Sequence, residues 1–356
     1  MSRRGSNRLD RDAADGIMKC SRRGVDDARS RPGVCSPRLT KAYPRAVEVT
    51  RDDPPRRSPA PGVTATMNSN VRNLFDIKRL TGYKRPSPLI LINGLAEQSE
   101  SWFANRRQLA RHFDVKVPEI LVYDGDSLHR HIEAGGEVTV DYLADRLATY
   151  LEEFVQRPPY HLVGSSLGGQ ICLTMAVRHP DLISKLVLIA PSGLYGDENL
   201  PVMEGVKRSD YDSLVKSVFH RRSHFATDGL VGAIEQKFQS RKWKKGILRT
   251  LRGTVGHSVS DLLEQVPHPT LLIWGSDDRV ISDVAGSIRA AERMIKGRQV
   301  VIPKCGHAPQ IEKSRLVNTL ITRFLRDRLK AVPPMLDPVR FLHKEARPTP
   351  SKVGGR

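Results

Sequence analysis

Three scarcities narrow what this chain can be. Cysteine occurs four times in 356 residues, at Cys20, Cys35, Cys172 and Cys305, without CxxC spacing. That excludes a disulfide framework or a thiolate metal knuckle and reads as reduced thiols in a cytoplasmic protein. Long apolar runs are missing too: none approaches the roughly 18 residues of a membrane span, and roughly the first thirty residues lack the apolar core of a secretory signal. Acidic residues are outnumbered, 39 against 58 Lys and Arg, which leaves a formal net charge of +19. Aromatic residues make up only 6% of the chain. They are not interleaved with the basic ones, so the charge supports nonspecific anionic contacts rather than a base-reading groove.

Much of that charge lies outside the segment with globular patterning. Residues 1–66 hold SRRGVDDARSRPG and DDPPRRSPAPG, rich in Arg, Pro, Gly and Ser with no apolar periodicity. Such a stretch buries too little apolar surface to offset its conformational entropy, so a disordered basic arm is expected. The alternative is that the natural protein opens at Met67. The tail 332–356, basic and proline-bearing, reads as a second disordered arm.

From Pro88 onward, apolar runs alternate with amphipathic ones, the signature of an α/β fold with a mostly parallel, doubly wound sheet in a domain over residues 67–331. LILI, EILVYD, YHLVG, KLVLIA, TLLIWG and VVIP read as strands. Leu143, Leu147, Leu151 and Phe154 recur at helical spacing after Thr139, a candidate N-cap, so the spacing predicts a helix over 140–156 with those four residues on its packed face. Some 70 residues between LVLIAPSGLYG and PTLLIWG leave the alternation and are rich in Lys, Arg and helix formers.

One stretch carries chemistry. YHLVGSSLGGQICL places Ser166 in a GxSxG pattern between a strand-like and a helix-like run. A lone GxSxG arises by chance, and a serine before a helix is often only an N-cap. In this context, however, the strand-to-helix turn pushes the hydroxyl over the sheet edge, and Gly164 and Gly168 avoid clashes in so sharp a bend. A serine nucleophile needs a histidine base and an acid to orient it. TLLIWGSDDRV ends a strand in a loop carrying Asp277 and Asp278, and VVIPKCGHAPQIE ends another in a loop presenting His307. The acid follows the serine by about 110 residues and the histidine follows the acid by about 30, an order that matches Ser…Asp…His.

ILINGLAEQSESW, HLVGSSLGG, LVLIAPSG, LLIWGSDDRV and CGHAPQIE together resemble the α/β-hydrolase superfamily, in order and in spacing, over roughly Pro86 to Leu329. The resemblance implies Ser166 as nucleophile, Asp278 as the acid in preference to Asp277, His307 as base, and the backbone N–H groups of Leu95 and Leu167 as oxyanion hole. It also implies that the insertion at 197–268 forms a helical cap over the serine and shapes the pocket for a small-molecule acyl substrate. No cofactor is expected. Three departures stand out: Asn93-Gly94 where many members have His-Gly, YDGDSLHRH in place of a Gly-rich turn, and Ala308 and Ser165 where carbon–carbon hydrolases of ring-cleavage products carry an aromatic and a polar amide.

The reading is a cofactor-independent serine esterase, with a carbon–carbon hydrolase as runner-up and, from another class, an idle scaffold whose basic arms bind nucleic acid or a partner. Other features receive plainer readings. Ser260 is expected to cap the helix that begins DLLEQV, with Ser258 in a loop. His129 and His131 lack further ligands at metal spacing. Cys305 is assigned to packing. RKWKK and FHRR are assigned to a solvated face.

Overall fold

A computed structural model describes residues 86–195, 205 and 208–345, so the arm 1–66 lies outside the described residues. Six strands form one sheet: β1 (Pro88–Ile92), β2 (Asp114–Lys116), β3 (Tyr160–Ser165), β4 (Ile183–Ile189), β5 (Thr270–Gly275) and β6 (Gly297–Ile302). All neighbours are parallel, in the order β2-β1-β3-β4-β5-β6. Strands covered on both faces read as unbroken apolar runs rather than alternating ones, which is why LILI and TLLIW looked as they did. Ile90, Leu162, Leu188 and Leu272 point into one core. Leu89, Val163, Val187 and Ile273 point into the other.

The helices follow in chain order. α1 (Phe103–Leu109), α2 (Asp126–Glu133), α3 (Val140–Tyr150) and α4 (Leu167–Arg178) precede β4. Between β4 and β5 come α5 (Tyr211–Val218), α6 (Arg222–Phe225), α7 (Asp228–Gln239) and α8 (Arg241–Thr254). The rest are α9 (Val284–Ala291), α10 (Pro309–Glu312), α11 (Ser314–Leu325) and α12 (Pro338–Glu345). Among the described residues, no helix is long and apolar enough to cross a membrane.

Four local expectations need correcting. EILVYD is not a strand; pairing stops at Lys116, just short of Pro118, which has no N–H to give a ladder. The Ile120 carbonyl instead accepts from Arg146 Nε at 2.8 Å. Thr139 does cap α3, its side chain accepting from the Tyr142 N–H at 3.1 Å. But a π turn over Leu151–Val155 advances the register, so Val155 is buried while Phe154 is 53% exposed. Ser260–Gln265 is a 3-10 turn, and it is the Ser258 hydroxyl that accepts the Ser260 N–H. Finally, the first part of the tail expected to be disordered forms the turn Pro334–Leu336 and α12, because Leu336 finds a buried site and Phe341 and Leu342 pack against the core, while 346–356 lie outside the described residues.

The sheet also buries a titratable ring. His161 on β3 is 7% exposed, meets Phe113 edge-on at 6.0 Å, and its Nδ1 has no hydrogen-bond partner among the described residues. Burial, aided by the Lys185 charge, pushes its pKa down from 6.5 to about 4. As pH falls below 6.5 the unfolded chain takes up a proton that the folded ring refuses, so stability is lost down to about pH 4 and levels off below it. The loss attributable to this residue is about 3 kcal/mol. Urea midpoints of wild type and His161→Leu between pH 4 and 7 measure it. A difference between the two proteins that stays flat with pH would refute the assignment.

Candidate active site

The chain runs from β1 out to β2 and then returns to β3 on the other side of β1, so the sheet order reverses between β1 and β3. A crevice opens beyond the carboxyl ends of two strands at such a point. Ile92 pairs with Gly164 there, so the loop after β1 and the turn after β3 emerge side by side. Ser166 sits on that turn with φ 50° and ψ −116°. For a non-glycine residue this conformation costs about 1–3 kcal/mol and persists only where surroundings enforce it. The enforcement is visible. A Cβ on Gly164 would lie 2.2 Å from the Gly168 carbonyl oxygen, and one on Gly168 would lie 2.5 Å from that of Ile92. Both glycines of the motif are therefore needed for backbone packing.

His307 follows β6 and faces Asp278, which follows β5, with Nδ1 2.8 Å from Oδ2. Asp278 Oδ1 accepts the N–H groups of Val280 at 2.8 Å and Ile281 at 3.1 Å. Its side chain is 0% exposed and that of His307 7%. An ionised carboxylate only accepts, so the ring proton belongs on Nδ1, leaving Nε2 as the basic nitrogen. Asp277 turns elsewhere, towards the Ser276 hydroxyl and His220.

Ser166, His307, Leu95 and Leu167 all line one cavity of about 510 Å³. The N–H groups of Leu95 and Leu167 are not taken up by any acceptor among the described residues. On either side of Leu95 the loop is tied down, Gly94 N–H donating to Glu97 Oε2 at 3.0 Å and Ala96 N–H to the Tyr123 hydroxyl at 3.1 Å. Asn93, the departure noted above, accepts from Trp102 Nε1 at 2.7 Å. The remaining wall is largely apolar; the insertion contributes Leu214, Val218, Phe219, Leu230, Ile234 and Trp243, and Phe103, Val280 and Ile311 come from outside it.

Residues 87–314 match the family model described as alpha/beta hydrolase fold. The chain belongs to that family. This hydrolase is 24% identical over 267 residues to monoacylglycerol lipase abhd6-B of Xenopus laevis, covering 68% of this chain and 75% of the relative. It is 29% identical over 181 residues to the 2-hydroxy-6-oxo-6-phenylhexa-2,4-dienoate hydrolase of Comamonas testosteroni, covering 47% of this chain and 63% of that one. A serine hydrolase from the polyaromatic-hydrocarbon degrader Cycloclasticus zankles superposes with a TM-score of 0.61 at 18% identity, covering 69% of this chain and 92% of the other, a likeness of fold.

Sequence reasoning passed over several residues that organise this candidate site. Glu312 accepts N–H groups from Gly306 at 2.7 Å, His220 at 3.1 Å and Arg221 at 3.2 Å. Together with the His307 N–H donating to the Val218 carbonyl at 2.7 Å, this ties the histidine loop to the insertion. Glu312→Ala leaves three donors without their acceptor and is expected to cost about 1–3 kcal/mol. A thermal unfolding shift below 1 °C would count against that. Ser165, beside the nucleophile candidate, accepts from Gln310 Nε2 at 3.0 Å. Gln310 is in turn held by buried Asn105 Nδ2 through its carbonyl at 3.1 Å. Glu97 was visible in the quoted motif but carried no pattern that marked it.

The groups given plainer readings from the sequence have the following surroundings. His129 Nε2 meets the Tyr123 carbonyl at 3.0 Å, and His131 Nε2 meets that of Glu137 at 2.9 Å. Cys305 is fully buried, and burial pushes its thiol above the ordinary range. In RKWKK, Trp243 is buried while Lys242 pairs with Asp126 and Lys245 with Glu133.

Proposed function

We propose that this hydrolase cleaves an ester or similar acyl bond of an apolar small molecule through Ser166, His307 and Asp278. The observation that carries the reading is the buried Asp278–His307 pair, 2.8 Å apart, opening onto the same cavity as a serine held at φ 50°. Nε2 of His307 takes the Ser166 proton as the hydroxyl attacks the carbonyl carbon, and Asp278 holds the imidazolium that forms. Leu95 and Leu167 N–H groups receive the oxyanion. Collapse of the tetrahedral adduct expels the leaving group with the proton from His307; water, deprotonated by His307, then releases the acid and returns Ser166.

The segment 197–268 acts as the cap in this reading. Its apolar residues, Leu214, Val218, Phe219, Leu230, Ile234 and Trp243 among them, line one side of the cavity, so it excludes water and selects the acyl chain. The free thiols of Cys172 and Cys305 fit a cytoplasmic setting. A fluorophosphonate probe should label Ser166, with the adduct mapped by peptide mass spectrometry. Labelling that is absent, or that survives Ser166→Ala, would defeat the proposal. The likeness to a ring-cleavage hydrolase keeps carbon–carbon hydrolysis as the second reading, which the same triad would serve.

A further inference from the structure

The cavity contains a carboxyl group that the mechanism above does not use. Glu97 lies on the loop after β1, two residues past the proposed oxyanion donor Leu95, and lines the large cavity beside Ser166 and His307. An ideal Cβ on Gly94 would stand 3.3 Å from Glu97 Cδ and 3.3 Å from Ser166 Cβ, so the carboxyl and the serine flank the same point. Oε2 accepts from Gly94 N–H at 3.0 Å and from the Ser101 hydroxyl at 3.3 Å, which fixes its direction. Behind it lies a second cavity of about 30 Å³, lined also by Asn93 and Tyr123. That is room for about one or two waters next to the carboxylate.

We infer that Glu97 is a specificity-determining residue, selecting esters whose alcohol carries hydroxyl or cationic groups next to the scissile bond and rejecting those with a carboxylate there. The inference rests on the serine-hydrolase reading and deepens it. The physical ground is range: a carboxylate this close to the reacting centre, in a largely apolar cavity, discriminates opposite charges far more strongly than one in water. Donors on the substrate satisfy its remaining lone pairs; a second carboxylate leaves both charges repelling and poorly solvated.

The groups facing Glu97 are His307 across the cavity, Tyr123 from the turn before α2, Glu100 on its own loop, and Lys237 on α7, which donates to Gln98 Oε1. Lys237 is thus engaged on the neighbouring residue. Burial pushes the Glu97 carboxyl above its usual range, opposed by the Gly94 N–H, the His307 ring and the Ser101 hydroxyl. Its charge is therefore acquired at a higher pH than for an exposed glutamate, and the selectivity should grow as pH rises through that ionisation.

The test compares kcat/KM for three octanoate esters, those of choline, methanol and glycolic acid, between pH 5 and 8. Protonation of His307 removes active enzyme for all three alike, so it cancels in the ratios. The choline-to-glycolate ratio is expected to rise with pH in the wild type and to be about tenfold or more smaller, and flat with pH, in Glu97→Gln, whose amide oxygen still accepts from Gly94. The wild-type pH dependence stands as a measurement even where the variant folds poorly. Ratios that agree within about twofold between the proteins at every pH, or a wild-type ratio independent of pH, overturn the inference. If hydrolysis and Ser166 labelling persist then, the serine-hydrolase reading survives. Absence of both turnover and labelling defeats that reading and the inference with it.

Discussion

Ser166→Ala should lower kcat for a hydrolysed ester by about 10⁵–10⁶-fold while leaving the protein folded. The loss is large because the hydroxyl is the proposed bond-forming group; what persists is binding and the preorganised N–H pair, which alone give a small residual rate. The backbone makes a second, opposite expectation. At φ 50° alanine keeps the strain of serine, so Ser166→Ala should melt near the wild type, whereas Ser166→Gly, equally inactive, adopts that φ without penalty. Glycine's looser unfolded state offsets part of the relief, leaving a gain of about 1 kcal/mol. Kinetics and thermal melts on the two variants read both effects. Retention of more than a hundredth of the activity in Ser166→Ala would rule out the serine mechanism.

Asp278→Asn should cost about 10⁴-fold in kcat, the size seen when the acid of a serine triad becomes an amide. Asp278 accepts three hydrogen bonds, one from the imidazole and two from backbone N–H groups. An asparagine keeps one oxygen for Val280 and Ile281 and so turns its NH₂ towards His307. The ring must then accept at Nδ1 and carry its proton on Nε2, where it cannot receive the serine's. Asp277→Asn, one position away but directed at Ser276 and His220, should change kcat less than threefold (roughly) because it reaches neither the ring nor the cavity. Equal losses in the two variants, measured with one ester, would show that the acid has been misassigned.

The architecture was legible, and so were the positions of Ser166, Asp278 and His307 just beyond the ends of β3, β5 and β6, because each rests on a strand-forming apolar run followed by a turn. Apolar runs buried on both faces announce a parallel sheet, and Gly164 of the elbow is dictated by contacts within a few residues, against Gly168 and Cys172, whereas Gly168 answers to the Ile92 carbonyl across the sheet. What stayed hidden depended on small backbone events or on partners distant in sequence. One π turn turned Phe154 outward, and Pro118 ended a strand that hydropathy continued. Glu97 and Glu312 are unremarkable letters in their own segments. They acquire meaning only when Ser166 and the Val218–Arg221 backbone arrive from elsewhere in the chain.

The tie between the histidine loop and the insertion bears on how such a protein can diversify. Val218 and Glu312 clamp the stretch from Gly306 to His307 against residues 218–221, so the proposed base stands partly on an element that lines the pocket. A graft exchanging this insertion for another must reproduce those few backbone groups, or the imidazole loses its footing along with the old preference. Preference and competence are thus inherited as one cassette, and new pockets are reached more readily by point changes on the inward faces of α5 and α7 than by wholesale exchange.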